Sequence, residues 1–245
     1  MKRQLGSRFN GGTTVAAGLR ALGFLHADVL VLSHAQSDYI GGALSLIRSL
    51  NRIGEVWLPD VPSAHEHRTA RSISEQDAPP VRWLARGDKV IGKGYEVEVL
   101  WPQRGHSPAN HNNSSLVLSV RLKNGKMLLF PDDIEAKVER ALLADGVNPV
   151  DAMLMPPHGS RSSSLPAFVK RMQPGLAIAQ TGKDNHFGFP HAVVTSRYRA
   201  SGSELANSSD GAVVVRLKDK FHPETWPSDK RSRRDMALKW WQESR

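Results

Sequence analysis

The chain has 245 residues, 40% of them apolar, enough to bury a substantial core in one domain. A formal net charge of +9 and a pI near 10 favour anionic partners such as nucleic acid, through long-range attraction and counterion release. Cysteine is absent, which excludes disulfides and thiolate ligands and leaves His, carboxylates and water to hold any transition metal; no run approaches the roughly eighteen apolar residues of a membrane-spanning helix.

In chain order, MKRQLGSRFNGG has no apolar run behind its basic residues and does not read as a secretory signal. It leads into one helix, TVAAGLRALG at 14–23. The β-branched run DVLVLS at 28–33 predicts the first strand. Similar runs predict strands at 55–59, 95–102, 116–122, 126–131, 151–157, 176–182 and 212–217, with helical segments at 39–52, 134–144, 164–173 and 190–200. Between LVLSVRL and KMLLFP lies Lys123-Asn124-Gly125, a hairpin signal. Residues 103–115 form a polar loop. The alternation of strand and helix, joined to a hairpin, predicts a layered α/β domain with mixed sheets over 1–218. Residues 219–245 read as a basic tail with a short helix, in which Trp240 and Trp241 pack back on the domain or stack on bases.

The residues with chemistry stand just past strands, where sites in α/β sheets usually lie. In LSHAQSDYIGG at 32–42, a turn presents His34, Gln36 and Asp38, and Gly41-Gly42 would let the next helix pack close to the sheet. KMLLFPDDIE ends in Asp132 and Asp133; Asp133 is as well placed to cap the following helix as to hold a metal. DAMLMPPHGS ends in His158, within an ordered Pro-Pro-His-Gly-Ser loop. Gly188-Phe189-Pro190-His191 precedes a further helix, with Pro190 near its first turn.

These motifs, with the Asn112-Asn113-Ser114-Ser115-Leu116-Val117 run, LLFPDDIEAKVERALL and PPHGSRSSSLPAF, stand in an order and at spacings that resemble the C-terminal metallo-β-lactamase-fold domain of ComEC-type DNA-internalisation competence proteins. The resemblance covers roughly residues 10 to 217. It implies an αββα sandwich and a divalent-metal hydrolase acting on DNA, in the family context of a membrane channel at the bacterial inner membrane. Carried over residue by residue, it makes His34, Asp38, Asp133 and His158 metal ligands, with Asp38 and Asp133 also catalytic. Gln36, Tyr39 and Phe189 stand where the family has further ligands, Pro157 replaces a His, and His191 is one retained His of two. The resemblance therefore implies a single zinc or manganese ion or none, since a neutral amide is a weak ligand and a phenol of pKa near 10 coordinates only when deprotonated. Arg161 is a candidate DNA-phosphate contact. Only 32 residues precede Ser33, so the first strands of such a sandwich are expected to be missing. The readings that follow are a metal-dependent phosphodiesterase of a DNA-uptake protein, a basic DNA-binding remnant of it, or a fragment without activity of its own.

Overall fold

The computed structural model describes residues 11–34, 37–62, 64–74, 79–107, 110–217 and 221–226. Helix α1 (Gly11–Ala21) leads into β1 (His26–Val31); β2 (Arg52–Pro59) pairs with β1 and β3 (Val81–Leu84) with β2, all in parallel, in the order β1-β2-β3. Parallel strands need crossovers, supplied here by α2 (Ser37–Ser49) and α3 (Ala64–Ser74). The second sheet contains β4 (Lys89–Gly92), β5 (Tyr95–Trp101), β6 (Val117–Leu122), β7 (Met127–Phe130), β8 (Ala152–Leu154), β9 (Leu176–Ala179) and β10 (Glu204–Asn207), side by side in sequence order. It is antiparallel from β4 to β7 and parallel from β7 to β10. The parallel half carries α4 (Ala136–Ala144), α5 (Pro166–Met172) and α6 (Ala192–Ala200).

Strand alternation sorts the side chains into layers. In β2, Val56 and Leu58 are fully buried against Ala16 of α1 and Ala43 and Leu46 of α2, while Trp57 between them points to the second sheet. In β6, Leu118 faces Trp57, and Val117 faces the opposite layer of Val138, Phe168 and Tyr198 on α4, α5 and α6. Helix, sheet, sheet and helix follow one another, the expected αββα order. Between the sheets runs a cleft of about 1160 Å³, walled by Val29, Val31, Tyr95, Val120 and Phe130 and ending at Ser33, Asp132 and His158.

Several expectations shift in detail. The hairpin at Asn124-Gly125 forms, with Gly125 at φ 84 and Leu122 N–H donating to Lys126 C=O. The close backbone approach that requires glycine falls at Gly12 of α1 and lies between helices, and Gly42 has ordinary room for a Cβ. A Cβ on Gly12 would stand 1.9 Å from the Gly42 carbonyl oxygen, so α1 meets α2 through a position where only glycine fits. Residues 221–226, read as charged tail, form β12 (Phe221–Trp226) antiparallel to β11 (Ala212–Leu217). Trp240 and Trp241 lie outside the described residues.

Candidate metal centre

Three strand ends converge at the mouth of the cleft. His34 follows β1, the Asp132-Asp133 pair follows β7, and His158 follows β8. Two non-glycine residues here take left-handed backbone, Asp132 at φ 52 and His158 at φ 55, a conformation that costs energy unless the surroundings enforce it. At Asp132 this turns two successive carboxyls towards the same imidazole. His34 is buried, and its Nδ1 lies 2.8 Å from Asp132 Oδ2 while its Nε2 lies 3.8 Å from Asp133 Oδ2. His158 Nε2 lies 3.4 Å from the other oxygen of Asp133. One donor atom each from His34, Asp132 and Asp133 falls within 4.8 Å of the others.

The two aspartates differ in role. Ser33 Oγ donates to Asp132, and Ser115 Oγ stands 3.3 Å from His34 Nδ1. Burial alone would raise the Asp132 carboxyl, but hydrogen bonding with His34, the His34 charge and the Ser33 and Ser115 hydroxyls outweigh it and hold the group below its ordinary value. An ionised Asp132 accepts from a proton on His34 Nδ1 and leaves Nε2 facing Asp133, the arrangement in which an outer carboxylate orients a ligating imidazole. Asp133 is pushed up, first by burial and then by repulsion from Asp132, against the opposing pull of His158 and His34.

Asp133 does not cap α4. The residue before that helix is Glu135, whose own side chain makes no capping bond. Glu135 N–H instead donates to Asn113 Oδ1 at 3.0 Å, so the Asn112–Ser114 turn buttresses the aspartate loop.

Of the other expected residues, Asp38 and Tyr39 lie on the first turn of α2, with side chains outside the description, and Gln36 lies outside the described residues. His191 precedes α6, which begins at Ala192, two residues beyond Pro190. Its N–H donates to Gly159 C=O at 3.0 Å and its ring packs edge-on to Phe189. Arg161 is exposed, two residues beyond Gly159. Asp132 is a site residue that the sequence pattern does not single out. Its signal was the Asp-Asp pair straight after a strand, but nothing in the letters says which carboxyl turns to which histidine nitrogen.

The donor chemistry fits a divalent cation. Ligands about 2.0 to 2.2 Å from one zinc-type ion stand roughly 3 to 4 Å apart; Asp133 Oδ2 stands at such a distance from His34 Nε2 and Oδ1 from His158 Nε2, while the group whose donors all lie within 4.8 Å of one another is His34, Asp132 and Asp133, with His158 at its edge. Imidazole and carboxylate together make a mixed nitrogen and oxygen donor set of the kind that holds a divalent cation, and the crowding of negative charge at Asp133 is what a cation would relieve.

No family model matches the chain. The curated relatives include competence protein ComA of Neisseria gonorrhoeae, 32% identical over 218 residues, and ComE operon protein 3 of Bacillus subtilis, 29% identical over 206 residues. These alignments take in 85% and 82% of this chain but 29% and 26% of the relatives, so the chain spans less than a third of their length. Recombination protein 2 of Haemophilus influenzae is 25% identical over 234 residues, 89% of this chain and 27% of the relative. Among solved structures, the metallo-β-lactamase fold protein YhfI from Bacillus subtilis superposes with a TM-score of 0.51 at 11% identity, covering 80% of this chain and 79% of that one. CmlA, a diiron β-hydroxylase from Streptomyces venezuelae, superposes at 0.52 and 16% identity, covering 75% of this chain and 44% of that one. The chain is thus a homologue of the ComEC-family competence proteins, built on the metallo-β-lactamase fold.

Proposed function

We propose that the chain is a metal-dependent phosphodiesterase module of a DNA-uptake system, holding one zinc or manganese ion through His34, Asp133 and His158. The observation that supports it is the convergence of two imidazoles on the two oxygens of one buried aspartate, with a second carboxylate fixing the tautomer of His34. Relatives named for competence point to DNA as the substrate.

A bound cation would supply Lewis-acid stabilisation of charge on a phosphate and a more acidic water. The protein's own groups do the remainder. Asp132 holds the His34 ring in one orientation, so no reorganisation is needed when substrate arrives. Asp133 lies between the imidazoles, with one oxygen 3.8 Å from His34 Nε2 and the other 3.4 Å from His158 Nε2. Three protein ligands leave a coordination position for water or substrate, and Asp38 on the first turn of α2 is the further carboxylate candidate. Arg161, exposed beyond the His158 loop, would contact a phosphate and fix register without reading bases. The module would serve a membrane channel component at the bacterial inner membrane; among the described residues no helix is long and apolar enough to cross a membrane itself.

The test is hydrolysis of DNA by the purified chain with added manganese or zinc. His34→Ala and Asp133→Ala are expected to lower the rate by on the order of 100-fold or more, as removal of a group that acts as part of a unit does. Bound DNA with no turnover under any metal would overturn the enzymatic reading in favour of a basic DNA-binding remnant.

A further inference from the structure

Beside the metal centre, the loop between β9 and α6 carries a row of rings. His186 and Phe187 have centroids 4.4 Å apart, Phe187 and Phe189 are stacked at 5.5 Å with planes 18° apart, and Phe189 meets His191 edge-on at 5.2 Å. Phe187 is 63% exposed. A single exposed apolar residue needs no explanation, but this one heads an ordered series. The loop is held from within: Asn185 accepts from Phe189 N–H and donates to Phe189 C=O, both at 2.8 Å, and its own carbonyl accepts from Gly188 N–H. The rings are therefore positioned in advance.

The same loop is pressed against the His158 loop. A Cβ on Gly159 would stand 2.4 Å from Pro190 Cβ, and Gly159 C=O accepts from His191 N–H. Strand β9 pairs with β8, so the ring row and His158 leave from neighbouring strand ends. The charge around it suits a polyanion. Lys183 and Arg161 are exposed on the two loops, Asp184 is the one carboxylate in 182–191, and the chain carries +9 overall.

The geometry points to a base-stacking platform: Phe187, backed by Phe189, receives an unpaired nucleobase of a single-stranded nucleic acid whose backbone runs towards His158 and Arg161. Duplex bases are already stacked on one another and offer no free face to Phe187, whereas successive bases of a single strand stack on aromatic side chains whatever the sequence. This rests on the DNA-directed reading above and deepens it, placing a stacking contact for an unpaired base at Phe187 beside the His158 loop.

The experiment is fluorescence anisotropy of the full chain with a labelled deoxythymidine strand of about twelve nucleotides, within the usual site size, against a duplex of the same length. It is done in chelator, so that binding is read apart from metal chemistry. The expected result is tighter binding of the single strand, weakened about 5- to 100-fold in Phe187→Ala and Phe187→Leu and restored in Phe187→Trp. Duplex binding is expected to change less than twofold in all three variants. Equal single-strand affinity in Phe187→Ala and the parent chain would overturn the platform while leaving the metal-dependent reading intact. Failure to bind metal or hydrolyse DNA, with the Phe187 effect present, would do the reverse. No binding of either oligonucleotide would overturn the platform and leave the metal-dependent reading to the hydrolysis test.

Discussion

At the scale of residues, the site turns on which nitrogen of His34 carries the proton. The carboxylate of Asp132 lies at hydrogen-bond distance from Nδ1, too close for both groups to be independent ligands, and Nε2 is left facing Asp133. Asn at position 132 keeps the shape and tolerates the left-handed backbone but removes the charge. Asp132→Asn is therefore expected to weaken metal binding about 10- to 100-fold with little change in melting temperature, read by competition with a metal-chelating dye. Undiminished affinity would mean that Asp132 is a structural acid only. A second carboxyl makes a separate pH prediction. Glu139 is fully buried and accepts backbone N–H bonds from Ser164 and Leu165, and burial pushes it up to about 7 despite those bonds and the nearby Arg197 and Arg140. The folded chain thus keeps a proton that the unfolded chain has lost. The contribution to stability is present below about 4.5, the ordinary value, and is lost as pH rises through about 7. It amounts to about 3 kcal/mol. Thermal unfolding at pH 5 and pH 8 should show this loss in the parent chain and a flatter profile in Glu139→Gln. That variant should also be less stable at pH 5, because its amide nitrogen faces a backbone N–H.

At the scale of elements, close backbone contacts set the geometry. Gly12→Ala would place a methyl 1.9 Å from the Gly42 carbonyl oxygen and force α1 away from α2, whereas Gly42→Ala meets its nearest atom at an ordinary 3.5 Å. The first should lower stability by on the order of 2 kcal/mol or more, as overpacking does, and the second by less than about 1 kcal/mol; denaturant unfolding measures both. Gly159 couples two functional loops. It sits at φ 86 with no room for a Cβ against Pro190, so Gly159→Ala should weaken metal and single-strand binding together, whereas Phe187→Ala affects only the second. The elements that were legible in the sequence are those whose composition speaks locally. The β-branched runs of β1, β6, β9 and β11 form strands, and Asn124-Gly125 forms its turn. Helix α3 was missed because AHEHRTARSIS has few apolar residues, Ile73 being its deep anchor. Strand β12 was missed because FHPETW, with Pro223 and Glu224, looks like tail; its pairing with β11 is a tertiary fact.

At the scale of the whole molecule, the two sheets bring strand ends distant in sequence to one edge. His34 and Asp132 are 98 positions apart and meet across the sandwich. Sequence reasoning could find His34, Asp133 and His158 because each follows an apolar run, and polar residues at such ends are exposed to the crevice of an α/β sheet. It could not see the role of Asp132, which depends on one left-handed residue. Nor could it see the ring row, because Gly188-Phe189-Pro190-His191 reads as a helix start until the loop contacts of Asn185 and Gly159 are known. The net charge acts at this scale as well. Binding through phosphates releases counterions, so affinity for either form of DNA should fall steeply with salt, with a slope near −0.7 per phosphate contact for a single strand. Anisotropy titrations over a salt series would show this, and a flat dependence would contradict electrostatic capture.

The most direct test of the central claim is the metal content of the purified, unchelated chain by inductively coupled plasma mass spectrometry, beside His34→Ala and Asp133→Ala. About one equivalent of zinc or manganese per chain is predicted, the single-ion set of three protein ligands, lost in both variants. A folded parent chain that binds no metal after supplementation, or variants that keep the full equivalent, would contradict it.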